Sequence, residues 1–393
     1  MAEIKSTSAN TQVKPFRINV ADSVLNDLQE RLKRTRWTSE PEDSGWSMGA
    51  SLRYMKELAD YWQHQYDWRK QEAALNLFHH FKAEPGEVEI HFIHERGKGP
   101  NPMPLLLTHG WPDSFYRFNK IIPMLTDPEK FGGKAEDSVT VVVPSMPGFG
   151  FSERRAMASE GVADLWAELM TGVLGYDLFI AAGGDLGTEV TRALARKYPD
   201  RVKAIYLTDV GYPNGSEDFS SFSPAEQQFA ARSQQWWYME GAYNMLQSTK
   251  PQTVGAALTD SPVGLATWII EKLYAWSDGQ GNIESRFTKD ELLTNIMIYW
   301  VTETINSSIR MYLQNTRAIY ATGGGPKPAE RVEVPTGVVS FPAENAPVPR
   351  EWAERYVNLQ HFTQMQEGGH FAPLEVPDLY VNDLRAFVGK IRS

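Results

Sequence analysis

Apolar residues in the first 76 positions recur at the spacing of helices. In residues 22–34, Val24, Leu25, Leu28 and Leu32 fall on one face, and the apolar side chains of residues 52–66 share a face in the same way. A helix has 3.6 residues per turn, so apolar side chains three and four positions apart form a stripe that packs against a core. The pattern predicts an N-terminal helical meander over residues 1–76.

From about residue 78 the pattern changes to short apolar runs. These runs predict strands at residues 88–94, 105–108, 139–143, 178–182, 202–207, 336–341 and 362–365. Helix-like stretches lie between or after them, at residues 165–174, 188–198 and 377–391. Short apolar strands that alternate with helices favour a mostly parallel sheet with helices on both faces. The sequence therefore predicts an α/β fold whose core has two parts, residues 77–213 and 323–393.

Residues 214–322 interrupt this alternation, because the strand signal vanishes there. The stretch is helical and rich in aromatic residues, namely Trp236, Trp237, Tyr238, Tyr243, Trp268, Tyr274, Trp276, Tyr299, Trp300 and Tyr312. An insert between two strands of an α/β sheet lies over the carboxyl ends of the strands, where such sheets bind ligands. We interpret it as a helical cap, with Gly323-Gly324-Gly325-Pro326 as a hinge-like return that follows a helix and is no phosphate loop.

A short motif follows the run at residues 178–182. Gly183-Gly184-Asp185-Leu186-Gly187 has a nucleophile position flanked by small residues, on a predicted strand-to-helix turn. This is the pattern of the nucleophile elbow of α/β-hydrolases, with Asp185 where serine is usual. A carboxylate attacks a saturated carbon and forms an alkyl ester, so the motif predicts an enzyme that opens a strained or activated C–O or C–halogen bond. The alternative is a turn whose Asp merely caps a helix.

Two further residues match the partners of such a nucleophile. In this fold the chain order is nucleophile, acid, histidine. His370 lies after the last predicted strand and before the last helix, and Glu344 is the first carboxylate after the strand at residues 336–341. We expect Glu344 to accept the imidazole N–H, although it could be an ordinary solvated loop residue. His361 is predicted to precede the last strand, at its opposite end, and is a poor candidate.

The loop after the strand at residues 105–108 reads His109-Gly110-Trp111-Pro112. This loop supplies one backbone N–H of the oxyanion hole in α/β-hydrolases, and the residue after the nucleophile supplies the other. We assign these donors to the backbone of Trp111 and Leu186. His109 competes as the catalytic base, but it lies in the wrong place in the chain order. The other histidines, at positions 64, 79, 80, 91 and 94, are expected on the surface or in the core.

Opening an epoxide also needs an acid, because the leaving oxygen becomes an alkoxide. Tyrosine phenols are neutral at pH 7 and can donate to that oxygen. The cap contains several tyrosines, and the residue pattern alone does not choose among them.

Composition and charge limit the classes of partner that the protein is expected to bind. The 393 residues carry a net charge of −10, which disfavours nucleic acid and anionic membranes. There is no cysteine, so disulfides, thiol nucleophiles and thiolate metal sites are excluded. Residues 1–13 are polar, and no run of 18 apolar residues occurs, so neither a signal peptide nor a membrane span is expected. We expect a cytoplasmic protein without cofactor or metal that binds a small apolar molecule and water; whether it forms a homodimer stays open.

Across nearly its whole length the chain resembles the microsomal-type epoxide hydrolases, α/β-hydrolase enzymes with an N-terminal helical meander. The resemblance implies Asp185 as nucleophile and Glu344 with His370 as the charge-relay pair. The matching stretches are Lys14-Pro15-Phe16, Tyr66-Asp67-Trp68-Arg69, His91-Phe92-Ile93-His94, His109-Gly110-Trp111-Pro112, Gly184-Asp185, Gln247-Ser248-Thr249-Lys250-Pro251, Asp260-Ser261-Pro262-Val263-Gly264, Leu293-Thr294-Asn295, Phe341-Pro342 and Gly368-Gly369-His370-Phe371.

The resemblance also implies two cap tyrosines as acids. They are Tyr243, four residues before Gln247, and Tyr312, which follows Ser307-Ser308-Ile309-Arg310-Met311. The remaining cap tyrosines, Tyr238, Tyr274 and Tyr299, are then expected to pack. The family usually has Trp after the nucleophile, so the smaller Leu186 is expected to enlarge or reshape the pocket. We also expect this chain to lack the N-terminal anchor of membrane-bound members.

Two other functions fit parts of the pattern. A haloalkane dehalogenase shares the Asp nucleophile, but it needs halide-binding N–H donors such as Trp or Asn, and the paired cap tyrosines argue against it. A non-catalytic ligand-binding homologue is disfavoured, because every expected catalytic role is filled.

Overall fold

The computed structural model describes residues 12–321 and 325–392, and within them a nine-stranded sheet forms the centre of the molecule. Its order is β1-β2-β3-β5-β4-β6-β7-β8-β9. The pairs from β1 to β5 are antiparallel, and those from β5 through β4 to β9 are parallel. The strands are β1 (Lys14–Phe16), β2 (His80–Ala83), β3 (Ile90–Glu95), β4 (Met103–Thr108), β5 (Val139–Pro144), β6 (Phe179–Gly183), β7 (Val202–Leu207), β8 (Val332–Ser340) and β9 (Val357–Gln364).

Helices cover the sheet and fill the segments between its strands. Helices α5 and α6 pack together against the sheet, and α4 and α15 form a second pair against it. The helices are α1 (Asp22–Lys33), α2 (Leu52–His64), α3 (Trp68–Leu75), α4 (Ile121–Thr126), α5 (Ser159–Glu168), α6 (Leu186–Lys197), α7 (Pro224–Glu240), α8 (Ala242–Thr249), α9 (Pro251–Asp260), α10 (Pro262–Ala275), α11 (Lys289–Thr302), α12 (Ile305–Tyr320), α13 (Arg350–Tyr356), α14 (Ala372–Glu375) and α15 (Pro377–Arg392).

The central strands are the ones that the apolar runs predict. Every residue of β5 and of β6 is buried. Parallel strands covered on both faces need apolar side chains at every position, so they read as continuous hydrophobic runs. The mostly parallel sheet with surrounding helices confirms the predicted α/β fold class.

Strands at the edges of the sheet follow the prediction less closely. The short strands β1 and β2 have no apolar run, because lysine and histidine side chains interrupt them. Strand β9 begins at Val357, well before the predicted start at residue 362. The prediction missed this start because only the first residue of β9 is buried, so the strand has no continuous apolar run. The prediction that His361 precedes this strand is wrong. His361 lies inside β9, where its Nε2 is 3.0 Å from Asp383 Oδ1.

Between β7 and β8 the described residues form helices α7 to α12 and no strand. Helix α12 packs against α8 and α9. Capping side chains fix where several of these helices begin. Ser223 and Glu226 form a capping box at the start of α7, and Thr288 and Glu291 form one at the start of α11. The division into four stretches stays a prediction.

Two predictions fall on residues that the structure does not describe. Residues 323–324 of the glycine return lie outside the described residues, as do residues 1–11 of the polar start. Among the described helices, none has the length and apolar character needed to cross a membrane.

Candidate active site

Asp185 lies on the sharp turn between β6 and α6. Its backbone has φ 58° and ψ −131°, a conformation that costs a non-glycine residue about 1–3 kcal/mol and is found mostly at functional sites. Two positions beside Asp185, Gly187 and Gly110, must be glycine because there is no space for a side chain. A Cβ atom on Gly187 would lie 2.2 Å from the Thr108 carbonyl oxygen, and one on Gly110 would lie 2.4 Å from Asp185 Oδ1. The sequence motif therefore forms the predicted strand–turn–helix elbow, with the carboxylate held at its tip.

One oxygen of the Asp185 carboxylate is held by the backbone. The N–H of Trp111 donates to Oδ1 at 2.9 Å, and the N–H of Leu186 also bonds the carboxylate at the start of α6. Burial alone would raise the pKa of Asp185, but His370 and these two backbone donors outweigh it and lower the pKa below its usual value. Asp185 is therefore ionised at neutral pH. The two predicted oxyanion donors converge on this one group.

His370 lies against the other oxygen of Asp185. Its Nε2 is 3.4 Å from Asp185 Oδ2, and its Nδ1 is 2.7 Å from Glu344 Oε1. Both His370 and Glu344 are almost completely buried. A carboxylate on Nδ1 fixes the ring so that Nε2 faces the reacting group. The structure thus brings together the three residues that chain order predicts.

The loop that carries His370 is fixed on both sides. The backbone N–H of His370 donates to the Trp276 carbonyl at 2.9 Å, and Arg117 Nη2 donates to the His370 carbonyl at 2.6 Å. Arg117 also forms a fully buried ion pair with Asp113. A second glutamate, Glu375, lies near this loop, but it accepts the backbone N–H groups of Phe371 and Asp278, so Glu344 is the one bonded to the ring.

The charges around His370 determine its protonation. Burial alone would lower the pKa of His370, but the carboxylates of Glu344 and Asp185 outweigh it and raise the pKa to about 10. In the resting site His370 is therefore a cation between two carboxylates. Removal of the negative charge from Asp185 removes one of the causes that hold the proton on the ring.

Tyr243 on α8 and Tyr312 on α12 lie over the elbow, against Trp111. The Tyr243 ring stacks on Trp111 at 5.3 Å between centroids, and the Tyr312 ring meets Trp111 edge-on at 6.1 Å. Burial and the charge of Asp185 raise the pKa of both phenols well above the usual value. Both are therefore neutral donors at pH 7. The Tyr312 hydroxyl is buried and has no standard hydrogen-bond partner in the described part of the chain.

The other cap tyrosines lie elsewhere. Tyr238 is exposed, and Tyr274 stacks on Trp46 with ring centroids 3.8 Å apart. Tyr299 is buried, and its hydroxyl donates to the Asp113 backbone carbonyl. Tyr274 and Tyr299 therefore pack, as expected, whereas the expectation that Tyr238 packs is wrong, because its side chain is exposed.

His109, the competing base, is occupied by its own loop. Its Nδ1 lies 2.9 Å from the Gly110 carbonyl, and its Nε2 accepts the backbone N–H of Met146 at 3.1 Å. Burial lowers the pKa of His109, so the ring is neutral. Both ring nitrogens are hydrogen-bonded to backbone groups, so neither nitrogen is available to a reacting group. Of the remaining histidines, His80 and His91 form a buried pair, and His94 bonds Tyr176.

Sequence reasoning missed several residues around the elbow. Asp209, just after β7, accepts the Asp185 backbone N–H at 3.3 Å and the Thr188 hydroxyl at 2.7 Å. Burial raises the pKa of Asp209 to about 6. Its position at the carboxyl end of a central strand was the available signal. Asp113 follows Pro112 directly, and its carboxylate accepts the Gly110 N–H at 2.9 Å, so it fixes the loop that carries Trp111.

Cavity size alone does not locate this site. A cavity of about 1050 Å³ lies between the N-terminal helices and α9 and α10. None of the residues predicted for catalysis lines it. The geometry of the side chains, rather than volume, identifies the candidate site.

The sheet order, the elbow and the following histidine loop define an α/β-hydrolase. Sequence profiles agree: the alpha/beta hydrolase fold profile matches residues 103–262, and the Epoxide hydrolase N terminus profile matches residues 13–118. The chain is 36% identical to epoxide hydrolase 1 of Sus scrofa over 424 residues, covering 99% of this chain and 91% of the relative. The chain belongs to the epoxide hydrolase family and is an enzyme of that class.

Solved structures show the same similarity. The juvenile hormone epoxide hydrolase of the silkworm Bombyx mori superposes with a TM-score of 0.87 at 29% identity, covering 97% of this chain and 95% of that one. The Aspergillus niger epoxide hydrolase superposes with a TM-score of 0.82 at 30% identity, covering 97% of each chain. The similarity therefore extends over the N-terminal segment, the core and the cap-like insert.

Proposed function

We propose that this enzyme converts an epoxide to a vicinal diol through an alkyl ester on Asp185. The observation that carries the proposal is that the two oxygens of that carboxylate have different partners. Oδ1 accepts the Trp111 N–H at 2.9 Å, whereas Oδ2 lies 3.4 Å from His370 Nε2. One oxygen is thus fixed by donors suited to an oxyanion, and the other faces the base and is free to form a bond to carbon.

In the first half-reaction, Asp185 Oδ2 attacks an epoxide carbon and the C–O bond of the ring breaks. The electron pair goes to the epoxide oxygen, which Tyr243 and Tyr312 stabilise by hydrogen bonds. The alkoxide needs one proton to become the first hydroxyl. The resting site holds that proton on His370, since the carboxylates raise the pKa of His370 to about 10. The tyrosines donate at the oxygen, and His370 ends the step neutral.

The second half-reaction hydrolyses the ester. Esterification removes the charge of Asp185, so the pKa of His370 falls and the ring becomes a base. His370 takes a proton from water, and the hydroxide attacks the carbonyl carbon of the ester. The N–H groups of Trp111 and Leu186 hold the oxyanion. As the oxyanion collapses, the bond between the carbonyl carbon and the ester oxygen breaks, and His370 gives the proton it took from water to the leaving alkoxide, which completes the diol. The new carboxylic acid of Asp185 then passes its proton to His370, so Asp185 regains its charge and the site returns to its resting protonation.

The proposed substrate is a small, mainly apolar epoxide, with water as the second reactant and no cofactor. Aromatic rings surround the elbow: Trp111 and Trp276 flank Tyr243, with centroids at 5.3 Å and 5.2 Å from its ring. Such walls favour apolar groups and exclude bulk water from the ester.

Isotope labelling tests the covalent step. In a single turnover in ¹⁸O-water, with enzyme in excess, the oxygen added to the first diol comes from the Asp185 carboxylate, so that diol should be largely unlabelled. The label should appear in the peptide that contains Asp185. Direct appearance of ¹⁸O in the first diol would instead indicate attack by water and refute the ester intermediate.

Dehalogenation is a second candidate, favoured by one observation. The indole N–H groups of Trp111 and Trp276 are buried and have no hydrogen-bond partner among the described residues, and a leaving halide needs such donors. Tyr243 and Tyr312 favour an epoxide, because a leaving halide needs no proton. Halide release from chloroalkanes at a rate comparable to epoxide turnover would support the second candidate.

A further inference from the structure

Glu189 lies one helical turn beyond Asp185 on α6. The rise of 1.5 Å per residue places it roughly 6 Å further along the helix axis. On the cap, Asn315 lies about one turn beyond Tyr312 on α12. Asn315 Nδ2 donates to Glu189 Oε2 at 2.7 Å. The two helices that hold the nucleophile and one predicted acid therefore meet again, one turn away, at this second polar pair.

Glu189 is exposed, although residues 186–188 and 190–195 of the same helix are all buried. Protein nevertheless surrounds the carboxyl, and this desolvation raises the pKa of Glu189 to about 7, with a further contribution from the charge of Asp185. The charge of Glu189 in turn helps to raise the pKa of Tyr243 and Tyr312. Glu189 thus lies within electrostatic range of all three groups.

Only one oxygen of Glu189 is bonded by protein. Oε2 accepts the Ser159 hydroxyl at 2.8 Å and the Asn315 amide at 2.7 Å. No donor in residues 12–321 or 325–392 bonds Oε1. The carboxyl group is therefore held in place at one oxygen, while the other is available to a hydrogen-bond donor. The reaction proposed above does not use this acceptor.

We propose that Glu189 is a specificity-determining residue that binds a hydroxyl group of the epoxide substrate, about one helical turn from the carbon that Asp185 attacks. This inference rests on the proposed function and adds a substrate class to it, namely epoxides with a hydroxyl roughly 6 Å from the oxirane. The ionised carboxylate accepts from the hydroxyl at Oε1. In the neutral acid Oε2 still accepts from Ser159 and Asn315, so the proton lies on Oε1, which then donates to an oxygen of the substrate. The substrates are therefore compared above the pKa of about 7, where Glu189 is mainly ionised.

Three epoxides test the proposal by kcat/KM. In 5,6-epoxyhexan-1-ol, five bonds separate the hydroxyl oxygen from the nearer epoxide carbon; 1,2-epoxyheptane replaces the hydroxyl with a methyl group, and the methyl ether of the alcohol accepts but does not donate. The wild type should prefer the alcohol to both by about 10-fold, the factor of one hydrogen bond to a charged group. Equal turnover of the alcohol and 1,2-epoxyheptane would overturn the proposal without any variant.

Variants separate recognition from a structural role. Glu189→Leu should abolish or reverse the preference. Glu189→Gln keeps an oxygen for Ser159 and Asn315 but turns its NH2 group to the substrate, so it should lose the preference for the alcohol over the methyl ether. Glu160→Leu removes a carboxylate that pairs with Arg196 outside the site, and it should keep the wild-type ratio. An unchanged ratio in Glu189→Leu, or equal slowing of all three substrates, would refute substrate recognition. If the wild type hydrolyses none of the epoxides, the proposed function fails, and this inference fails with it.

Discussion

Replacement of His370 by alanine should separate the two half-reactions. Asp185 attacks carbon as a carboxylate, and that attack does not need a base. Hydrolysis of the resulting ester does, and His370 is the base assigned here, with Nε2 3.4 Å from Asp185 Oδ2. We therefore expect His370→Ala to react once with an epoxide and then to stall as the alkyl-enzyme.

The expected effect on ester hydrolysis is large. A positioned general base contributes about 10²–10⁴-fold, so ester hydrolysis should slow by that factor. The N–H groups of Trp111 and Leu186 still hold the carboxylate in the variant. His370 is a main cause of the lowered pKa of Asp185, so without it burial raises that pKa above its present position. Alkylation should consequently fade at a higher pH than in the wild type as the solution is acidified, while persisting near pH 8 with solvent as the proton source.

Mass spectrometry measures the outcome. Intact His370→Ala enzyme, quenched after exposure to epoxide, should gain the mass of one substrate, and the modification should map to the peptide that contains Asp185. The double variant Asp185→Asn/His370→Ala should gain no mass. Normal turnover by His370→Ala, or absence of alkylation in a variant whose thermal unfolding matches the wild type, would show that the assigned roles are wrong.

Substitutions of the two cap tyrosines, of Glu344 and of Gly187 test the remaining parts of the site. Tyr243→Phe and Tyr312→Phe should each slow the burst of alkylation by about 10²–10³-fold, and the double variant should nearly abolish it; stopped-flow rates close to wild type in the double variant would exclude the phenols as acids. Glu344→Gln removes a carboxylate that raises the pKa of His370, so the loss of activity at high pH should begin at a lower pH than the value of about 10 in the wild type, as a pH–rate profile will show. The same raised pKa stabilises the fold fully below about pH 6.5 and loses that contribution as the pH rises through about 10, so urea unfolding should show a smaller loss between pH 7 and 10 in Glu344→Gln. Gly187→Ala, whose Cβ would lie 2.2 Å from a carbonyl oxygen, should lower the free energy of unfolding by about 1–3 kcal/mol or more; unchanged stability would contradict the close packing of the elbow.

The fold was predictable where burial is complete. Strands β5 and β6 are buried at every position, so their apolar runs stand out in the sequence. Strand β9 lies at the edge of the sheet and is mostly half-exposed. Because its first half is polar, the prediction started the strand too late and placed His361 before it. Periodicity reports burial, and it fails for a strand whose backbone pairs but whose side chains face water.

The candidate site was predictable as far as chain order reaches. Asp185, Glu344 and His370 each follow the end of a predicted strand, and the structure places His370 in contact with the other two. Spacing did not single out Tyr243, since the cap contains several tyrosines that differ only in what they face. Glu189 was missed for a similar reason: a glutamate in the first turn of an amphipathic helix is typical of ordinary surface, and only its hydrogen bond from Asn315 on α12 distinguishes it.

The placement of Tyr243 and Tyr312 has a consequence for how new activities could arise on this scaffold. Both lie on helices of the insert, whereas Asp185, Glu344 and His370 lie at the ends of sheet strands. On the proposed assignment, ring opening needs the phenols of the insert as well as the residues of the sheet, whereas ester cleavage needs the residues of the sheet without those phenols. Mutations that remodel the insert can therefore change which bond is broken first while the machinery that regenerates the carboxylate persists. Each half of the catalytic cycle is then open to separate selection, in nature or in the laboratory.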